Sequence, residues 1–257
     1  MANIIDIHAH LGMQNVPKEV LDEMATGYHQ EAGHFGVKSL DQMIKEMDEV
    51  GIEKAVLLAS DTETLRPHLT VPNEAIAEAV SQYPDRFIGF GSVDPHKGLT
   101  AIKGIERAVT ELNLKGLKFV PGLIELYPND KEMYRIYEKA QELSLLILFH
   151  TGTEFFPDTR IKYCRPIHFD DVAIDFPNLT LIMAHFSWPW TEEAIAIVQR
   201  HKNVYMDISG WAPKHFPEVL VRYIGGPISN KSGFGSAYTT IPLSRIIPEF
   251  NQLPIKE

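Results

Sequence analysis

The chain has 257 residues, 44% of them hydrophobic and 23% charged, which fits one α/β barrel of about 250 residues and excludes extensive disorder. Its formal net charge of −10 argues against a nucleic-acid partner, because phosphate binding depends on clustered positive charge. The single cysteine excludes an internal disulfide, and no secretory leader or membrane-spanning apolar run is recognisable. We therefore expect one cytoplasmic domain over residues 1–257, with a small molecule as its partner and no membrane contact; a homodimer is left open.

Short β-branched, apolar runs alternate with longer amphipathic segments, which is typical of parallel strands joined by helices. The predicted strands cover 4–10, 54–60, 87–93, 116–121, 145–151, 179–186, 204–209 and, more weakly, 232–236. The three-to-four-residue periodicity predicts helices over 37–50, 73–83, 99–112, 131–143, 169–176, 192–200 and 217–224. This order predicts a (β/α)8 TIM barrel.

Two predicted loops are long, over 11–36 and 152–166. Loops that follow the carboxyl ends of barrel strands build the active site in this fold. We expect these two to form a lid or the wall of a substrate pocket.

Histidines end three of the predicted strands. His8 and His10 stand two residues apart, so they point to one face about 6 to 7 Å apart at Cα and can share a divalent ion. His150 ends the run LLILFH, and His185 ends LTLIMAH. A single histidine at such a place is more often held by backbone hydrogen bonds, but four at one rim favour a functional site.

The segments DIHAH, HTG, AHFSWPW, VYMDISG and FGSAY occur in the order seen in a known family. Together they resemble the amidohydrolase-related family of the amidohydrolase superfamily, which includes metal-dependent decarboxylases, lactone hydrolases and hydratases. The resemblance implies that His8, His10 and His150 bind one divalent metal, usually zinc, and that His185 is catalytic.

The last predicted strand departs from the family pattern. The family carries an aspartate where this chain has Ala237, and a methyl group can neither bind a metal nor accept a proton. Either three histidines suffice for the metal, with His185 or Asp207 in support, or the chemistry has been lost. Because the chain ends soon after Ala237, we expect the closing helix to be short or absent.

Three other polar residues have alternative interpretations. Asp6 shares the strand parity of His8 and either orients an imidazole or is structural; Asp207 is a second candidate for orienting one. Lys118 occupies the place of a carboxylated lysine in two-metal relatives, although pairing with a carboxylate is the simpler expectation.

Two side chains near the expected mouth are candidates for substrate binding. Arg160 lies in the long loop after the fifth strand and could clamp a carboxylate, whereas a solvated charge is the ordinary alternative. Trp188 could wall an aromatic or unsaturated substrate, or pack against a helix.

These features lead to one leading functional hypothesis and two alternatives. The first is a metal-dependent hydrolase that attacks a small carboxylated or cyclic substrate with metal-activated water. The alternatives are a zinc-dependent decarboxylase of an aromatic or unsaturated acid, and a catalytically impaired barrel, as Ala237 suggests.

Overall fold

Eight parallel strands alternate with helices and form a nearly closed barrel. The strands are β1 (Ile4–Ala9), β2 (Ile52–Leu58), β3 (Phe87–Gly91), β4 (Gly116–Phe119), β5 (Leu146–Phe149), β6 (Thr180–Met183), β7 (Val204–Asp207) and β8 (Ser232–Gly233). Each pairs with the next strand in sequence. The computed structural model describes residues 4–11, 19, 22, 39–154, 156 and 158–255. The predicted (β/α)8 barrel is confirmed.

The helices of the described residues cover the outside of the barrel. They are α1 (Leu40–Val50), α2 (Asn73–Gln82), α3 (Leu99–Thr110), α4 (Pro121–Ile124), α5 (Lys131–Glu142), α6 (His168–Asp175), α7 (Thr191–Arg200), α8 (Glu218–Ile224) and α9 (Leu243–Asn251). Local sequence sets their ends. The Ser39 side chain accepts a hydrogen bond from the Gln42 amide, and Gly51 ends α1 at a φ of 79°.

Apolar side chains fill the lower part of the barrel and leave its carboxyl end for polar groups. Val56, Leu58, Phe90, Leu148 and Ala184 form the buried interior cluster. The larger core lies between the strands and the helices that cover them. Such a packed interior holds the strand ends rigidly.

The barrel closes where the segment after β8 runs beside β1. The Ile7 amide donates to Phe234 O at 3.0 Å, the Ala237 amide to His8 O at 2.8 Å and the His10 amide to Tyr238 O at 2.9 Å. This closing seam carries His8 and His10 on one side and Ala237 on the other.

Some predicted strands extend beyond the carboxyl end of the observed strand. The sixth strand stops at Met183, and His185–Ser187 forms a 3-10 turn. A short closing helix is present: Leu243, Ile246 and Ile247 of α9 are buried against α1.

Most of the predicted loop 11–36 lies outside the described residues. Within the described part, no helix combines the length and apolar character that crossing a bilayer requires.

Candidate metal centre

Four imidazoles meet at the carboxyl ends of β1, β5 and β6. The ring centroids of His8 and His10 are 5.1 Å apart, those of His8 and His185 4.8 Å, and those of His150 and His185 4.5 Å. The structure therefore brings all four predicted histidines into one group. Their roles as metal ligands or catalyst remain predictions.

Asp207 fixes the orientation of His8. Its Oδ2 lies 2.5 Å from His8 Nδ1, and both side chains are fully buried. Because a carboxylate only accepts, the proton lies on Nδ1 and the lone pair on Nε2 is left free. His8 Nε2 is buried and has no hydrogen-bond partner among the described residues. An orphaned imidazole nitrogen held from behind by a carboxylate suits a metal ion.

Ser209 connects His8 to His185. Its hydroxyl oxygen lies 3.2 Å from His8 Nδ1 and 2.9 Å from His185 Nδ1. Since the His8 proton is directed to Asp207, the Ser209 hydroxyl can donate to His185. The His185 proton then lies on Nε2, 3.1 Å from His150 Nδ1, and His150 Nε2 donates to Thr153 O at 3.2 Å. One consistent set of tautomers thus runs through the group. In it the His185 proton occupies the lone pair of His150 Nδ1 that a metal ion would take in its place.

Burial keeps these imidazoles uncharged at neutral pH. It lowers the pKa of His10 and of His150 to about 3, with the nearby Lys118 amine adding to the effect. Burial also holds the pKa of His8 and of His185 well below the usual value. Neutral imidazoles with available lone pairs are the form that binds a metal.

The backbone after β6 turns sharply to present His185. His185, Phe186 and Ser187 have positive φ values of 59°, 38° and 54°, a region that non-glycine residues avoid. Gly210 packs against the ring; a Cβ there would lie 2.6 Å from His185 Nδ1. Such local strain is commonly found at functional sites.

Asp6 contacts two backbone amides and the Ser236 hydroxyl, and not an imidazole. Its carboxylate accepts from the amides of His8 and Ser236, each at 3.0 Å, and from the Ser236 hydroxyl. Burial raises the pKa of Asp6 to about 7. Asp6 therefore ties β1 to the closing segment, and it orients His8 only through the main chain.

Ala237 lies beside His8 at the seam. It is buried and has a φ of 50°, so no carboxylate reaches the histidines from this strand. Asp207 on β7 is the carboxylate that groups with His8 and His185, with one ligand atom from each within 4.8 Å of the others.

Lys118 and Glu154 border the histidines from the β4 and β5 side. Both are buried, and neither the amine nor the carboxylate has a hydrogen-bond partner in the described part of the chain. The expected pairing of Lys118 with a carboxylate is therefore wrong. Burial lowers the pKa of Lys118 to about 7 and raises that of Glu154 to about 7.

The two predicted substrate ligands lie at the mouth of the barrel. The Arg160 side chain is 60% exposed and pairs with Glu125 at 3.3 Å. Trp188 is 39% exposed, with its ring 4.9 Å from that of Trp211. Substrate binding by either residue remains a prediction. Sequence reasoning missed Arg66, a buried guanidinium that donates to Leu123 O and pairs with Glu125 and Asp158.

Comparison with known proteins gives one partial sequence match and several complete structural ones. A decarboxylase of 2-amino-3-carboxymuconate-6-semialdehyde from Dictyostelium discoideum is 28% identical over 137 residues, 46% of this chain and 38% of the relative. The match thus spans less than half of that protein.

Solved structures share the fold. An uncharacterized TIM-barrel protein from Bordetella bronchiseptica superposes with a TM-score of 0.82 at 24% identity, covering 99% of this chain and 92% of that one. A dihydroxybenzoic acid decarboxylase from Polaromonas sp., with bound manganese and 2-nitroresorcinol, gives 0.74 at 18% identity, with coverage of 100% and 92%.

A family model described as amidohydrolase matches residues 5–255. This match, over nearly the whole chain, confirms the resemblance in the histidine segments and the expectation of an enzyme. The chain belongs to the amidohydrolase family.

Proposed function

We propose that this protein is a metal-dependent decarboxylase of a small aromatic or unsaturated carboxylic acid. The observation that carries the proposal is the orphaned Nε2 of His8, aligned by Asp207 within a group of neutral imidazoles. The sequence put hydrolysis first, but the comparisons favour decarboxylation: the curated relative and the manganese-containing structure are both decarboxylases. In this proposal the partner is a small acid, and neither nucleic acid nor membrane takes part.

His8, His10 and His150 would hold one divalent cation. A set of nitrogen ligands suits zinc, whereas manganese prefers oxygen ligands. Zinc is our proposal, and manganese is the competitor to test. When bound, the cation would act as a Lewis acid on an oxygen of the substrate.

His185 would supply the proton that replaces the carboxylate. The bond from the substrate carbon to its carboxylate breaks, carbon dioxide leaves, and the electron pair stays on the carbon. That carbon takes the Nε2 proton of His185, which with the anionic substrate bound would be an imidazolium whose Nδ1 proton Ser209 accepts. His185 then regains a proton from solvent.

The test is carbon dioxide release from a panel of hydroxybenzoates and unsaturated diacids. Metal-stripped protein would be assayed alone and after addition of zinc or manganese. We expect metal-dependent turnover that His185→Asn lowers by about 10²- to 10⁴-fold, the usual contribution of a general acid. His215→Asn, on an exposed 3-10 turn, is the matched control.

Two results would reject the proposal. Hydrolysis of lactones or amides without carbon dioxide release would restore the hydrolase hypothesis. Stoichiometric metal binding with no turnover on any panel member would favour the impaired barrel, which the buried Ala237 already suggests.

A further inference from the structure

A second group of metal-binding side chains lies on the β5 side of the histidines. One donor atom from each of His150, Glu154 and Cys164 lies within 4.8 Å of the other two. Glu154 and Cys164 belong to the loop between β5 and α6. Neither takes part in the proposed decarboxylation.

Glu154 lacks the partner that a buried carboxylate needs. The residue is 7% exposed, and neither carboxylate oxygen has a hydrogen-bond partner among the residues described. Thr159 lies close, but its hydroxyl donates to Phe156 O at 2.7 Å. An unpaired buried carboxylate lowers the stability of the folded protein by roughly several kcal/mol. A cation in the cluster would supply the missing partner.

Gly122 shapes the space around this carboxylate. A Cβ at position 122 would lie 1.9 Å from Glu154 Oε1 and 3.3 Å from Cys164 Sγ. The absence of a side chain thus lets the oxygen and the sulfur approach the same point. The two donors come together against the first turn of α4, which holds them in place.

We propose that His150, Glu154 and Cys164 bind a second divalent cation, which the mixture of nitrogen, oxygen and sulfur donors identifies as zinc. Cysteine, histidine and carboxylate are the three ligand types that zinc accepts. On binding, the Cys164 thiol releases its proton to solvent, and a sulfur–metal bond forms. Glu154 binds through its carboxylate, and the ion replaces the missing partner.

His150 is common to both groups. Its Nδ1 lies 3.1 Å from His185 Nε2, and its Nε2 lies 3.2 Å from Thr153 O, one residue before Glu154. For both sites to be filled together, each His150 nitrogen would bind one ion, and the ring's remaining proton would go to solvent. His8 and His10 belong to the first site alone.

Cobalt substitution tests this second site directly. A thiolate bound to Co²⁺ gives a charge-transfer band in the near ultraviolet, which nitrogen and oxygen ligands do not give. Cys164 is the chain's one cysteine and is buried, so the band reports on this position alone. We expect the band in the cobalt-loaded protein, together with one more equivalent of metal than the first site accounts for.

Four variants make the assignment specific. Cys164→Ser should abolish the band and remove one equivalent of metal. Glu154→Gln should weaken cobalt binding at this site by at least the 10- to 100-fold seen for lost outer partners of a ligand. Glu125→Gln, a carboxylate at the same mouth that pairs with Arg66 and Arg160, should change neither. A protein with both His8→Ala and His10→Ala should keep the band.

The absence of the band in cobalt-loaded protein overturns the second site. So does a band that Glu154→Gln leaves unchanged, because cobalt would then be bound by the thiol adventitiously. Since the spectrum does not depend on turnover, failure here is distinct from failure of the decarboxylase proposal. Thermal unfolding of each variant establishes that a lost band does not reflect lost structure.

Discussion

The carboxylate of Asp207 decides which nitrogen of His8 faces the centre of the imidazole group. Replacing it with asparagine removes the negative charge that holds the Nδ1 proton. We expect Asp207→Asn to weaken metal binding by about 10- to 100-fold, measured by competition with a chelator. Asp170→Asn is the control, because Asp170 holds His201 in the same way at 2.6 Å, away from the group. Equal affinities for the two variants would contradict the assigned role.

Ser209 acts on His185 through a single hydrogen bond. Ser209→Ala removes the donor to Nδ1 and frees the other tautomer, in which Nε2 carries no proton. One hydrogen bond contributes about 1 kcal/mol, so kcat should fall roughly 5- to 10-fold while metal content stays the same. Ser209→Thr keeps the hydroxyl and should keep most of the activity. Nitrogen-15 spectra of histidine-labelled protein would show the tautomer directly; an unchanged tautomer in Ser209→Ala would refute this role.

Ala237 offers the opposite experiment, a gain of function. Aspartate tolerates the positive φ of 50° at this position better than alanine does, and its carboxylate would lie next to His8. We expect Ala237→Asp to raise metal affinity by at least about 10-fold, the gain from roughly 1.4 kcal/mol of added attraction. Ala237→Asn has the same shape without the charge and should not do so. Calorimetric titration with zinc separates the two, and matching affinities would show that position 237 does not face the ion.

At the residue scale, sequence predicts the histidines because each follows an apolar strand. Ser209, Glu154 and Arg66 carry no such pattern. The importance of Ser209 and Arg66 depends on neighbours far along the chain: Ser209 contacts His8, 201 residues away, and Arg66 pairs with Asp158, 92 residues away. Local periodicity contains no information on these pairings.

Among the elements, the closing seam depends on Asp6. Its carboxylate accepts hydrogen bonds from the His8 amide on β1 and from the amide and hydroxyl of Ser236 on the closing segment. Asp6→Ala leaves these buried donors without an acceptor, and we expect the free energy of unfolding to fall by about 2 to 4 kcal/mol. Urea denaturation measures the change. Asp48→Ala, which removes a surface ion pair with Arg86, should cost less than about 1 kcal/mol. A similar loss in both variants would mean that Asp6 adds nothing beyond an ordinary surface contact.

Sequence predicts the elements better than it predicts their ends. Apolar runs identify strands, but a run continues after the last ladder hydrogen bond, as in Met183 to Phe186. The eighth strand is the weakest prediction, and only Ser232 and Gly233 join the ladder with β7. Its pairing with β1 lies in the segment that follows, which no periodicity identifies.

For the whole molecule, metal binding and stability should be linked. An ion that binds only the folded protein at 100 times its Kd adds about 2.7 kcal/mol of stability, which corresponds to a rise in Tm of roughly 5 to 10 °C. We expect a chelator to lower Tm by this amount and added zinc to restore it, as measured by calorimetry. The protein carrying His8→Ala and His10→Ala, which keeps only the second site, should show a smaller shift. If the chelator leaves the Tm of the unaltered protein unchanged, metal binding is contradicted.

The architecture as a whole follows from the alternation of strands and helices, whereas the chemistry does not. The chain belongs to the amidohydrolase family and folds as a barrel, but a few side chains at one end of the barrel decide between hydrolysis, decarboxylation and ligand binding without chemistry. Those side chains come from β1, β5, β6 and β7, which lie far apart in the sequence.

The seam between the first and last strands has a consequence for biosynthesis. His8 and His10 are synthesised long before the backbone that fixes them from the other side, residues 234–238. A partly made chain thus has its nitrogen donors without the frame that aligns them.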